Sequence, residues 1–194
     1  MTRSAAGRRS SRRIWILTAL GKDRPGIVAQ VTGALYELGC NLEDSAMTRL
    51  GGEFTIMLVF SAGPSLSQAR LSSAFEPLSG RVGLAIHLKP LGVGELTPQT
   101  RGRPYVISVY GADRPGIVFR VSELLAKAGV NITDVSTHRT IPPTRGGKTP
   151  LYLLFLEVEL PERAAVARLE QDLRRVGKQL GVEVSLRSSE TDIL

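Results

Sequence analysis

The chain has 194 residues, of which 42% are hydrophobic, 22% charged and 5% aromatic. That length suits one large domain or two small ones, and the apolar content suffices for a core made mainly of Val, Leu, Ile and Ala. A single cysteine, Cys40, excludes an intrachain disulfide and a cysteine metal cluster, so a reducing compartment, the cytoplasm, is expected.

The formal charge of +7 is unevenly spread. Residues 1–13 hold Arg3, Arg8, Arg9, Arg12 and Arg13 with no acid, so a basic tail supplies five of the seven charges. Such an arm can add salt-sensitive affinity for phosphates, but it reads first as a solvated, incidental extension, and no helix-turn-helix rhythm follows it. Direct nucleic-acid binding is not expected. "SSRRIWILTAL" resembles a twin-arginine signal, but its apolar run is short and the charged "GKDR" stands where small residues should precede a cleavage site. No window reaches the ~18 apolar residues of a membrane span, so no membrane partner is expected.

In chain order, the first domain covers 14–89. Ile14–Leu20 is a β-rich run, followed by the turn "GKDRPGIV" and a helix with Ile27, Val28, Val31, Leu35 and Leu38 on one face. Pro25 suits a first helical position, where its missing N–H costs nothing, and Gly39 stops the helix. "NLEDSAMTRL" reads as a strand with one polar face, and "FTIMLVFS" as an apolar one. A helix over Leu66–Leu78 and a strand "RVGLAIHLK" complete the domain. Residues 90–103, rich in Gly, Pro and Thr, form the linker.

The second domain, 104–188, repeats the first. Sliding the chain by ninety residues aligns Gly21–Leu50 with Gly111–Thr140 without a gap and with thirteen identities. Tyr105–Tyr110 leads into "GADRPGIV" and a helix with Ile117, Val118, Val121, Leu124 and Leu125, again stopped by a glycine, Gly129. "NITDVSTHRT", a long loop Ile141–Pro150, "LYLLFLEVEL", a helix Glu162–Leu180 and "VEVSLRS" follow, with a tail over 189–194. Each copy therefore reads β-α-β-β-α-β: an α+β chain of two ferredoxin-like domains, antiparallel sheets with both helices on one face.

The repeated turn carries the chemistry. A strand feeding a helix N-terminus leaves backbone N–H groups unpaired and adds partial positive charge, which suits a carboxylate. Gly26 and Gly116 allow close approach, Asp23 and Asp113 can face an ammonium group, and Asn41 and Asn131 offer a donor and an acceptor. A small zwitterion fits that set. The same residues also make an ordinary β-to-α turn, with Asn as a cap. "GGKT" in the long loop is no phosphate loop, because Pro142 stands where glycine is required and the loop joins two strands. His87 and His138 lack companions at ligand spacing, so no metal or other cofactor is expected. Cys40, at a helix end, reads as a buried structural thiol, His138 as an exposed or interface residue, and no Gly-x-Ser-x-Gly elbow occurs. No catalytic set emerges.

An apolar strand, D-R-P-G-I-V, an amphipathic helix and G-x-N before a strand together resemble the ACT domain, over roughly 12–89 and 103–188. The resemblance implies an amino acid bound at an interface between paired domains. It implies contacts from Asp23, Arg24, Gly26, Asn41 and Leu42, and from Asp113, Arg114, Gly116, Asn131 and Ile132. A free-standing tandem pair with a long loop in the second copy is similar to the glycine cleavage system transcriptional repressor group. That likeness implies a non-enzymatic homo-oligomeric regulator with glycine as signal and a transcription activator as protein partner. A sensor acting on a metabolic enzyme in trans, or a ligand-free assembly module, are the alternatives.

Overall fold

The computed structural model describes residues 12–92, 102–140 and 150–189. The basic segment 1–11, most of the linker (93–101), the loop 141–149 and the segment 190–194 lie outside the described residues. Two compact units divide between Pro98 and Gln99.

Unit 1 runs β1 (Arg13–Lys22), α1 (Ile27–Glu37), β2 (Asn41–Leu50), β3 (Glu53–Ala62), α2 (Gln68–Val82) and β4 (Ala85–Leu91). Unit 2 runs β5 (Gly102–Ala112), α3 (Ile117–Lys127), β6 (Asn131–Thr140), β7 (Leu151–Pro161), α4 (Val166–Leu180) and β8 (Val182–Ser188). The sheets have the orders β2-β3-β1-β4 and β6-β7-β5-β8, and every pairing is antiparallel. This is the ferredoxin-like arrangement twice over. The strands β4 and β5 reach Leu91 and back to Gly102, into both ends of the Pro- and Gly-rich stretch.

Alternation along the inner strands sets each core. Trp15, Leu17 and Ala19 of β1 and Phe54, Ile56, Leu58 and Phe60 of β3 are buried, packed with Ile27, Val31 and Leu35 of α1 and Leu71 and Phe75 of α2. Ile107, Val109, Leu154, Leu156 and Val158 meet Ile117, Val121, Leu125, Leu169 and Leu173 likewise in unit 2.

Four local expectations shift. Pro25 and Pro115 precede the helices instead of starting them, because Gly26 and Gly116 take left-handed φ values of 89° and 93° and act as the N-caps. α2 extends to Val82, past Leu78: Val82 is buried with Leu71 and Phe75, and Gly83 at φ 69° ends the helix. α4 starts at Val166, not Glu162, because the Ala164 N–H closes a turn onto the Pro161 carbonyl at 2.8 Å. β2 is exposed along all ten residues, where one polar and one covered face was expected; it is the outer strand of its sheet, and Leu42 and Met47 stay open at 44% and 55%.

Gly21 and Gly111, at the ends of β1 and β5, are fixed by close approach. A Cβ on Gly21 would stand 2.8 Å from the Gly83 carbonyl oxygen and 2.9 Å from Leu84 Cδ2. One on Gly111 would stand 2.8 Å from Val182 Cγ1 and 3.0 Å from Val182 Cα. Gly21→Ala should cost on the order of 2 kcal/mol, since main chain must move. Gly80→Ala, on an open helical site with nothing near its Cβ, should instead stabilise by roughly 0.5–1 kcal/mol. Urea denaturation of the two variants checks the opposite signs.

Candidate functional site

The turn between β1 and α1 is built around Gly26. Its carbonyl accepts the Gln30 N–H at 3.0 Å, and no side chain caps α1. Gly116 repeats this, accepting from Arg120 at 2.9 Å. The first-turn amides of both helices thus lack a side-chain acceptor, and glycine at each cap keeps the approach clear: a Cβ would meet only Gln30 Nε2 at 3.8 Å at Gly26, and nothing within 4 Å at Gly116.

The charged members of the turn are engaged by other parts of the unit. Asp23 pairs with Arg49 at 2.9 Å and Asp113 with Arg139 at 2.6 Å, tying each turn to the far end of β2 or β6. Main-chain bonds reinforce this, from the Asp23 N–H to the Gly52 carbonyl and from the Asp113 N–H to the Pro150 carbonyl, both at 3.0 Å. Arg49 and Arg139 were visible as an identity of the repeat, but their partnership was not, because it depends on β2 returning to the turn. Arg24 donates to the Val82 carbonyl in the last turn of α2. Arg114 lies at the matching place, its Nη1 3.1 Å from where a Gly181 Cβ would be. A cation there meets the unpaired carbonyls and negative end of the second helix.

The asparagines are at the opposite end. Asn41 pairs in register with Ser61 and Leu50 with Glu53, so Asn41 begins β2 a full strand away from the turn. Nine residues at ~3.3 Å each separate the two by roughly 30 Å. Asn41 Nδ2 donates to Glu43 Oε1 at 3.2 Å and to the Leu42 carbonyl at 3.4 Å; Asn131 Nδ2 donates to Glu159 Oε2 at 3.5 Å. Hydrogen bonds from Ser61 and then Asn41 hold the Glu43 carboxyl below its usual range. Leu42 is exposed, whereas Ile132 packs against the unit 2 core. Within a unit, then, Asp, Arg and Gly come together while Asn41–Leu42 and Asn131–Ile132 do not join them.

A depression of about 470 Å³ lies against the unit 1 turn. Its polar rim is Asp23, Arg24 and Gly26, and its apolar walls include Val28, Met47 and Phe54. Phe54 is buried, but Val28 and Met47 stay 42% and 55% exposed. Unit 2 differs at the equivalent positions. Phe119, 65% exposed, stands where Ala29 does, and Thr137 where Met47 does. Exact repetition of D-R-P-G concealed this difference, because the wall residues lie outside the motif.

Among the described residues no group of three or more His, Cys, Asp and Glu could hold a metal, and no helix is long and apolar enough to cross a membrane. His138 Nε2 lies 3.1 Å from Ser136 Oγ on exposed β6. Cys40 packs on the unit 1 core, and burial pushes its thiol pKa up against the opposing pull of Arg12.

The roles of the two arginines predict an order. Arg24→Met removes a bond to a helix end and should cost about 1 kcal/mol. Arg49→Met breaks an exposed pair and should cost ~0.5 kcal/mol or less. Urea midpoints measure both, and a larger loss for Arg49→Met would reverse the assignment.

Two family models, each described as ACT domain, match residues 13–89 and 105–174. The glycine cleavage system transcriptional repressor of Escherichia coli (strain K12) is 30% identical over 178 residues, spanning 91% of this chain and 90% of that protein. Its namesake in Shigella flexneri matches to the same extent. The crystal structure of an unknown protein from Galdieria sulphuraria superposes with a TM-score of 0.77 at 28% identity, covering 92% of this chain and 99% of that one. The chain belongs to the ACT-domain family: it is a tandem ACT-domain protein, similar along nearly its whole length to the glycine cleavage system transcriptional repressors.

Proposed function

We propose that this chain is a non-enzymatic regulator that binds a small amino acid at the unit 1 turn and thereby alters its contact with a protein partner. The observation that carries this reading is the open depression at Gly26. There the uncapped α1 N-terminus and a wall of exposed Val28 and Met47 meet around a glycine whose Cβ side faces only Gln30 Nε2, at 3.8 Å. The ligand carboxylate takes the first-turn amides of α1, where the helix dipole favours negative charge. Its ammonium group faces Asp23, one of whose oxygens Arg49 engages. Arg24 acts from behind, fixing the turn against α2.

Asn41 cannot reach that ligand from its own unit, given a separation of roughly 30 Å along β2. In the completed site it comes from a second copy of the chain, which makes the regulator a homo-oligomer and explains an exposed apolar wall on one side of the depression. Glycine is the proposed signal and a transcription activator the proposed partner. Support for both is the likeness to proteins named glycine cleavage system transcriptional repressor. Ligand acts by binding one arrangement of the oligomer better than another, and shifts partner contact by that difference alone.

Thermal unfolding of the purified chain against single amino acids tests this. A true ligand at ~100 times its Kd should stabilise by about 2.7 kcal/mol, with glycine the expected hit. Gly26→Val should abolish the shift at a cost of roughly 1–2 kcal/mol for its left-handed backbone, while Gly116→Val, at equal backbone cost, should keep it. A flat panel, or loss of the shift with Gly116→Val alone, contradicts the proposal.

A further inference from the structure

Unit 2 has a second depression far from its D-R-P-G turn, between the C-terminal end of α3 and the first turns of α4. Its volume is about 340 Å³. Leu124, Val130, Ala164 and Leu169 supply apolar surface, with Val130 and Leu169 each 6% exposed. Lys127, Arg168 and the carboxylate of Asp172 stand on the rim.

Comparison of the two units explains why it is there. The positions of Ala128 and Ala164 are held in unit 1 by Leu38 and Leu66, and both leucines pack onto the unit 1 core. Two leucines replaced by two alanines leave unfilled apolar volume between the helices, which a close-packed interior otherwise avoids. The rim changes as well. Glu37 of unit 1 is matched by Lys127, and the Ser67 cap, whose hydroxyl accepts the Arg70 N–H at 3.3 Å, is matched by Ala165, which caps nothing.

The local charge balance is positive. Lys127 is held by Glu123 at 2.9 Å and Asp172 by Arg175 at 2.9 Å. Arg168 has no ion pair among the described residues. Arg103, which does not line the depression, donates from Nη2 to the Ala164 carbonyl at 3.4 Å, and its Nε is buried without a partner. An apolar floor, an unpaired guanidinium at the rim and an uncapped helix start are complementary to one kind of small molecule.

We propose that this depression is a binding site for a small monocarboxylate with a branched aliphatic or aromatic tail. The tail fills the space that Leu38 and Leu66 fill in unit 1, and the carboxylate meets Arg168 at the opening of α4. A volume near the lower limit of ligand pockets suits a molecule of few heavy atoms, bound in the millimolar range. The site stands at the other end of the unit from Gly116, so it is separate from the turn proposed above for unit 1 and independent of it.

Saturation-transfer NMR on the full chain provides the test, with 4-methylpentanoate and 3-phenylpropanoate as probes and their uncharged amides as controls. Both acids should receive saturation through their tail protons, and the amides should bind about tenfold more weakly, the loss of one charge-assisted contact. Ala128→Leu/Ala164→Leu, which rebuilds the packing of unit 1, should abolish the signal while raising Tm. Arg168→Glu, a surface change that leaves the packing alone, should weaken the acids to the level of the amides. Undiminished signal in the filled variant overturns the proposal, as does equal binding of acid and amide. No saturation of either acid in the wild-type chain overturns it too. Should the filled variant not fold, the Arg168→Glu comparison decides alone.

Discussion

Each unit depends on the return of its second helix to the turn that begins its first. Gly21 and Gly111 end their strands against the backbone that follows α2 and α4, at distances where no Cβ fits. Arg24 then reaches back to the last carbonyls of α2, and Arg114 stands beside Gly181 at the end of α4. The two helices of a unit are thereby joined at one end over one face of the sheet, and the start of α1 is anchored there. A helix N-terminus can serve as an anion site only if its amides keep a fixed direction. Here a close backbone contact and a buried-side hydrogen bond set that direction, and the exposed pair Asp23–Arg49 adds little by comparison.

That dependence separates two kinds of work within D-R-P-G. Arginine and the preceding glycine serve the fold. Proline brings the chain out of the strand ahead of the cap, and the second glycine takes a backbone angle other residues enter only under strain. What is left open to a ligand is small: the first-turn amides, part of the Asp23 carboxylate and the apolar wall. An amino acid is large enough to use all three.

Much of this was legible in the residues. Periodicity and stop signals gave the type and order of every element, and the ninety-residue repeat gave the same order in both units. Arg81 and Val82, read as the start of a strand, belong to α2, and the strand itself begins at Ala85. Helix ends were less legible where tertiary burial overrode local signals, as Val82 carries α2 past Leu78. The candidate site was half legible. Spacing along the chain put Asp23 and Asn41 in one motif, but a strand of ten residues carries Asn41 to the far end of the sheet. Linear proximity said nothing about that, because α1 runs the length of the unit before Asn41 is reached. The pairing of Asp23 with Arg49 was hidden for the same reason: β2 brings Arg49 back over the distance that α1 had covered.

The two units have diverged around a motif that stayed fixed. Unit 1 is open at Ala29 and filled at Leu38 and Leu66; unit 2 carries Phe119 at its turn and is open at Ala128 and Ala164. The central claim, an amino acid held at the unit 1 turn, is tested most directly by amide chemical-shift mapping of the full labelled chain titrated with glycine. The predicted result is saturable perturbation confined to Asp23–Thr32, Met47–Phe54 and the region of Asn41, with unit 2 silent. Perturbation centred on Asp113–Ser122 instead, or no change at any amide of the unit 1 turn, contradicts it.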